Sequence, residues 1–473
     1  MQYIDLYKNL RNQITAQPAE ILPNPHVRVH NIDFHSAHAH ILPGIPVHHC
    51  QPHNLTFKDE AYSATRCYPI REETLLAEPD DIAFGRSHCT ESAALFLRGH
   101  DAYIEENQQF RIHIFTPATR QKNPTNGDPA DGDPANGGTV ESNPAEGGPA
   151  ESNPAEGGPT EANHEAILLF HGFNEKSWQK YYPWAQALVN QTGMAVILFP
   201  MAFHMNRAPL AWSDRRLMFA ESEKRVAQCP GIYASSFVNA AISIRLHTNP
   251  QRFLWSGLQS YHDVVQFIGN TRQGLYPMLG TDTRFHLFAY SIGGLLAQTL
   301  LMTNPGGNFT TSKLCLFCSG SAFSRMTPIN KAIMDSETEQ ALYRYILRYL
   351  DQHLAQDPWL RHFLQEPELH PEGYNFLSLL NYNKMCQERE TAFRQLAGRI
   401  YAIALENDSV IPYYEVTSTL QGRKRDIPIR VDIDHFPYPY KHEEPFPARE
   451  TIASQVDEAF RNTFAKFAAF YKA

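Results

Sequence analysis

Short apolar runs that alternate with helical stretches restrict the fold of this chain more than any other feature. Runs of five to seven residues recur from residue 166 onward: AILLF (166–170), AVILFP (195–200), RFHLFAY (284–290), KLCLFC (313–318) and RIYAIAL (399–405). A continuous apolar run is typical of a strand buried on both faces, and strands that alternate with helices form a mostly parallel sheet. The pattern therefore predicts the α/β fold class.

Three segments predict helices directly. Residues 177–189 carry apolar residues at helical spacing, and Gly193 follows as a stop. The pair Ser336 and Glu339 has the spacing of a capping box, which predicts a helix capped by this serine. Residues 451–471 place aromatic and aliphatic side chains on one face, so we expect an amphipathic closing helix.

Two connections are much longer than a simple crossover. Residues 201–283 and 319–398 each insert roughly 80 residues where one helix would suffice, and we expect them to form a two-part cap. Residues 1–100 contain few periodic runs, which predicts an N-terminal extension that packs on the core. Residues 101–473 are expected to form the α/β domain.

Residues 121–163 form a low-complexity tract of pentapeptides such as NPAEG and DPADG. Pro, Gly and acidic spacers cannot bury enough apolar surface to offset chain entropy, so the tract predicts a solvated loop. The segment FRIHIFT (110–116) precedes it and AILLF follows it. We therefore expect an insertion between two neighbouring strands of one sheet.

Composition argues against several classes of function. The chain has 41 basic and 50 acidic residues, a net charge of −9 with histidine neutral, and nucleic-acid partners require a basic surface. We find no apolar run long enough for a membrane span and no apolar core of a secretory signal. The seven cysteines are also sparse in 473 residues, which is typical of a protein in a reducing compartment. A cytoplasmic protein without a membrane span is the simplest expectation.

Two groups of potential metal ligands are interpreted as structural. Cys315 and Cys318 lie inside an apolar run, which is typical of a buried strand rather than of a zinc or redox site. Eight histidines lie between residues 26 and 53, but no clear partner carboxylates or cysteines stand at ligand spacing beside them. We therefore expect neither a metal nor a cofactor.

The segment RFHLFAYSIGG (284–294) carries the strongest functional signal. An apolar strand runs directly into Ser291, and a helix follows at once. A serine on such a sharp turn is held above the sheet in a strained conformation, and small residues must stand two positions before and after it. Here those residues are Ala289 and Gly293, whereas the competing serine, Ser87, lacks the second glycine and precedes the predicted strands.

This segment resembles the nucleophile elbow of the α/β-hydrolase superfamily, in its serine carboxylesterase and lipase-like form, with Ala289 where the usual pattern has glycine. The resemblance implies an α/β-hydrolase fold: a mainly parallel sheet with helices on both faces and inserted cap segments. It covers roughly residues 102–118 and 164–473, interrupted by the two insertions.

The superfamily orders its catalytic residues as serine, acid and histidine. After Ser291, Asp408 follows the strand RIYAIAL, and the motif Asp-x-x-Ile-Pro resembles the superfamily's acid loop. His435 then lies just past the run IPIRVDI. The resemblance thus implies Ser291, Asp408 and His435 as the triad. Rival acids are Glu406 and Asp434, and the rival base is His442.

The pair His171-Gly172, directly after the run AILLF, resembles the oxyanion loop of the superfamily. This implies that the backbone amides of Phe173 and Ile292 stabilise the oxyanion. The imidazole of His171 is expected to brace the loop rather than to transfer protons.

These resemblances predict a serine hydrolase that cleaves a carboxylic ester through an acyl-enzyme on Ser291. The expected partner is a small-molecule acyl substrate. A peptidase or an acyltransferase with the same triad is an alternative, and so is a non-catalytic binding protein on a hydrolase scaffold.

Overall fold

The computed structural model describes residues 2–14, 20–24, 26–38, 101, 104–118 and 162–473. Within them, one sheet of nine strands has the order β1-β2-β3-β5-β4-β6-β7-β8-β9. The strands are β1 (Glu20–Asn24), β2 (Val27–His35), β3 (Gln109–Pro117), β4 (Asn163–Phe170), β5 (Ala195–Leu198), β6 (Leu279–Tyr290), β7 (Leu314–Phe317), β8 (Ile400–Leu405) and β9 (Arg430–Asp434).

Strands β4 to β9 are parallel to one another, whereas β1, β2 and β3 are antiparallel to their neighbours. Each apolar run of the sequence overlaps a strand, and the predicted α/β-hydrolase fold is confirmed. Strands β1 and β2 come from the first hundred residues, so these two stretches of that segment belong to the sheet. The division expected at residue 101 therefore does not coincide with a boundary in the sheet.

Helices cover both faces of the sheet. Leu168 and Leu169 are adjacent in β4 and both fully buried, yet they belong to different hydrophobic clusters, one on each face. The helices are α1 (Tyr3–Ile14), α2 (Glu105–Gln108), α3 (Tyr181–Thr192), α4 (Arg215–Gln228), α5 (Ala240–Thr248), α6 (Arg252–Arg272), α7 (Gly293–Thr303), α8 (Ser336–Arg344), α9 (Leu350–Gln356), α10 (Pro358–Gln365), α11 (Pro371–Leu380), α12 (Cys386–Leu396), α13 (Tyr413–Leu420) and α14 (Ala453–Lys472).

Two local predictions need correction. Asp335, not Ser336, caps helix α8, because its carboxylate accepts the amide of Thr338 at 2.9 Å. Strands β3 and β4 share the sheet but are not neighbours, since β5 lies between them. The predicted stop at Gly193 is confirmed, with a left-handed φ of 75° that glycine adopts without strain.

Several predictions lie outside the described residues. They concern Ser87, histidines 40, 48, 49 and 53, and nearly all of the tract 121–163, whose last residue begins strand β4. The long connections hold helices α4 to α6 and α8 to α12. Among the helices in the part of the chain that the structure describes, none combines the length and hydrophobicity needed to cross a bilayer.

Candidate active site

Ser291 stands between the end of strand β6 and the first residue of helix α7. Its φ is 55°, a left-handed conformation that costs about 1–3 kcal/mol for a residue with a Cβ. Surrounding bonds hold the turn, because the carbonyl of Ser291 accepts the Ser319 hydroxyl at 2.5 Å and the amide of Gly294 at 3.1 Å.

The small residue two positions after Ser291 is required by close packing. A Cβ on Gly293 would lie 2.7 Å from the carbonyl oxygen of His171 and 2.9 Å from the Cβ of Phe170. The end of strand β4 therefore approaches the turn so closely that only glycine fits without movement.

Asp408 follows strand β8 and is buried. Its Oδ1 accepts the backbone amides of Val410 and Ile411, both at 2.9 Å, which fixes the carboxylate. Its Oδ2 lies 2.8 Å from Nδ1 of His442.

His442 completes a continuous chain of hydrogen bonds. Its Nε2 lies 2.7 Å from Oγ of Ser291, and its Nδ1 faces Asp408. The ring stacks on Tyr290 at 5.4 Å between centroids, and the hydroxyl of Tyr290 donates to the carbonyl of His442. In this geometry the imidazole can take the Ser291 proton while the carboxylate orients it.

The structure corrects the predicted histidine. His435 does follow strand β9 directly, but its side chain is 59% exposed and pairs with Glu406 at 2.8 Å. The other rival acid, Asp434, pairs with Lys466 at 2.6 Å. The chain instead folds back over eight residues and brings His442 to Ser291.

Buried aromatic side chains hold that loop. Phe436, Tyr438 and Phe446 are each at most 5% exposed and join the cluster that contains Trp184. The segment HFPYPYKHEEPFP (435–447) therefore carries a signal in its alternating aromatic residues, which indicate a loop that packs on the core. The resemblance alone predicts the base at the end of strand β9, because it takes no account of this aromatic pattern.

The loop after strand β4 places Phe173 in the same cavity as Ser291. Ile292, whose amide is the second predicted donor, follows Ser291 directly in the chain. Within the described residues, neither amide donates a hydrogen bond to the protein. The amide of Gly172, in contrast, donates to the Tyr181 hydroxyl at 2.9 Å and is therefore occupied. Two such unoccupied donors can stabilise an oxyanion.

His171 is fully buried beneath this loop. The amide of Met201 donates to its Nε2 at 2.9 Å, so its proton lies on Nδ1, which donates to the carbonyl of Gly172 at 2.8 Å. The pKa of His171 lies well below its ordinary value, mainly because the ring is buried and to a smaller extent because His204 is nearby. The ring is thus a neutral brace, and its geometry gives it no route to Ser291.

Two cavities meet at Phe173. A cavity of about 270 Å³ contains Ser291 and His442, and its other walls are mostly polar. A second, apolar cavity of about 70 Å³ lies on the side of helices α6, α7 and α11. Among the residues that line the second cavity are Ile292, Phe253, Leu295, Leu296 and Phe376.

Residues 156–472 match the model of a protein family described as a family of unknown function, DUF6051. The chain belongs to the DUF6051 family. No curated protein matches the sequence of this DUF6051 member.

Several solved structures resemble the DUF6051 chain. Carboxyl esterase 2 from the mycorrhizal fungus Tuber melanosporum is 10% identical, with a TM-score of 0.35, over 77% of this chain and 82% of the esterase. A thermostable esterase from Pseudomonas putida is also 10% identical, with a TM-score of 0.36, over 77% and 80%. An esterase from Pyrobaculum calidifontis is 11% identical, with a TM-score of 0.31, over 85% and 97%. The chemistry assigned to the DUF6051 protein below rests on the geometry around Ser291.

Proposed function

We propose that this protein is a serine hydrolase that cleaves carboxylic esters through an acyl-enzyme on Ser291. One observation carries the proposal: the hydrogen-bonded chain from Ser291 Oγ through His442 to Asp408, with distances of 2.7 and 2.8 Å. A serine hydroxyl is a weak nucleophile, and a base at this distance activates it. The strained turn that presents Ser291 supports the same role.

In the first half of the reaction, Ser291 Oγ attacks the ester carbonyl and its proton passes to Nε2 of His442. The amides of Phe173 and Ile292 stabilise the oxyanion, and the loss of one such donor typically costs about 10²–10³ in rate. The C–O bond to the alcohol then breaks, and the His442 proton goes to the departing alkoxide.

In the second half, His442 takes a proton from water, and the resulting hydroxide attacks the acyl carbonyl. The bond between Ser291 and the acyl group breaks, the proton returns to Oγ, and the acid leaves. Asp408 keeps Nδ1 of His442 protonated throughout. The sum is the hydrolysis of one ester to one acid and one alcohol, with no cofactor.

The test is covalent labelling with a fluorophosphonate, mapped by mass spectrometry, with Ser291→Ala as the matched control. We expect an adduct on Ser291 in the wild type and none in the variant. The wild type should also release p-nitrophenol from p-nitrophenyl acetate, and the variant should not. A folded wild type that stays unlabelled, or an adduct on Ser87 in both proteins, would contradict the proposal.

A further inference from the structure

Two lysines line the cavity that contains Ser291 and His442, and their surroundings differ. Lys180 forms an ion pair with Glu175, donates to the carbonyl of Glu443 at 3.0 Å, and lies 4.6 Å from the centre of the Tyr290 ring. Its charge is therefore already balanced by the protein.

Lys176 has no such partner among the described residues. Its Nζ donates to the carbonyl of Trp212 at 2.8 Å, and it forms no ion pair with a described carboxylate. An ammonium has three donors, so two remain for another group. Burial lowers the pKa of Lys176 to about 8, which leaves the amine mostly charged at neutral pH.

The position of Lys176 connects this charge to the reaction. It lies three residues after Phe173, whose amide is assigned to the oxyanion, and it lines the same cavity as Ser291. Because Phe173 lines both cavities, we expect an ester whose carbonyl oxygen faces Phe173 and Ile292 to extend one arm toward the apolar cavity and the other toward the polar one. The polar arm thus meets a partly buried cation.

We propose that Lys176 binds a carboxylate on the polar arm of the substrate, so that the enzyme selects half-acid esters over neutral esters of the same size. The inference rests on the proposed function. One ammonium balances one negative charge, and Glu175 and Glu443 line the same cavity. A monoanionic carboxylate therefore fits better than a dianionic phosphate.

The experiment compares three phosphonofluoridates that differ only in a terminal group: a neutral probe with methyl ends, one with a carboxylate on the alkyl arm, and one with a carboxylate on the alkoxy arm. In each labelling reaction an O–P bond forms to Ser291, the P–F bond breaks, fluoride leaves, and the proton goes to His442. Second-order labelling rates give the preference for acid over neutral probes without requiring turnover.

The preference is the labelling rate of an acidic probe divided by that of the neutral probe. In Lys176→Met we expect this ratio to fall about 10- to 100-fold for one of the acidic probes, the range for a lost hydrogen bond to a charged group. The neutral probe should label at an unchanged rate, and Lys176→Arg should restore much of the preference. Lys424→Met, at an exposed position, is the matched control and should behave as the wild type.

Two outcomes would overturn the inference while leaving the proposed function intact. One is a wild-type preference for both acidic probes in Lys176→Met, with all labelling rates unchanged. The other is an equal slowing of all three probes, as expected if Lys176 only anchors the carbonyl of Trp212. If no probe labels Ser291 in folded wild type, the proposed function itself fails.

The preference should also fall above about pH 8, as Lys176 loses its proton. Other titratable groups face this cavity, so the pH profile must be taken as the difference between wild type and Lys176→Met. They are Tyr7, Glu175, Lys180, Tyr290, His442 and Glu443. His204 is also near, since the charge of Lys176 contributes to lowering the pKa of His204. A preference that holds constant from pH 7 to 10 would contradict the assignment.

Discussion

The loop after strand β4 and the loop after strand β9 each place a buried histidine near Ser291, and the two rings are bonded in different ways. His171 lies between a backbone carbonyl and a backbone amide, so both nitrogens are occupied by the protein. His442 lies between a carboxylate, which can stabilise the protonated ring, and a hydroxyl, which can give the ring a proton. Burial alone therefore does not mark a base, because the partners of each ring nitrogen decide its role.

The largest expected effect separates His442 from His435. His442→Gln should lower kcat/KM for p-nitrophenyl acetate by about 10⁴-fold or more, because Ser291 loses its base. His435→Gln changes an exposed residue and should leave kcat/KM within about twofold of the wild type. Circular dichroism checks that both variants fold. Equal losses of kcat/KM in the two variants would contradict the assignment of His442, rather than His435, as the base.

The next effect tests the contact between the β4 loop and the Ser291 turn. In Gly293→Ala the new Cβ meets the carbonyl oxygen of His171, so the oxyanion loop must move. A displacement of this kind costs about 10²-fold in kcat. Gly269→Ala in helix α6, where a Cβ meets nothing within 4 Å, is the matched control and should keep full activity. Normal kcat in Gly293→Ala would show that the close approach is not needed for the reaction.

The smallest effect concerns the neutral state of His171. Burial lowers the folded-state pKa of His171, so as the pH falls below about 6.5 the unfolded chain binds a proton there that the folded chain does not bind. Stability therefore falls as pH falls, by about 1.4 kcal/mol per pH unit for one proton.

His171→Gln cannot bind that proton, so its free energy of unfolding should depend less steeply on pH over this range. Urea titrations at several pH values measure the slope. His113, His204 and His286, each with a pKa lowered to about 4 by burial, add the same dependence to both proteins. Identical slopes would mean that His171 is protonated in the folded state.

Much of the fold was predictable because it depends on local patterns. A run such as AILLF must be buried on both faces, so it predicts strand β4 and, with the other runs, a parallel sheet. Ser291 and Asp408 were predicted from their resemblance to superfamily motifs, and each comes shortly after a strand of the parallel sheet, whose strands end at one edge. The position of strands β1 and β2 was not predicted, because nothing local states which strand they pair with.

The sequence by itself determined the strands, the turn that presents Ser291, and the position of Asp408, because short-range sterics and hydrophobic burial act within a few residues. Only the tertiary structure decided between His435 and His442, since the path of that loop depends on packing against distant helices. It also decided that Glu175 pairs with Lys180 and that, in the part of the chain that the structure describes, no carboxylate pairs with Lys176. Ion pairing depends on distances of a few ångströms between charged groups, and the number of residues between two groups in the sequence does not determine that distance.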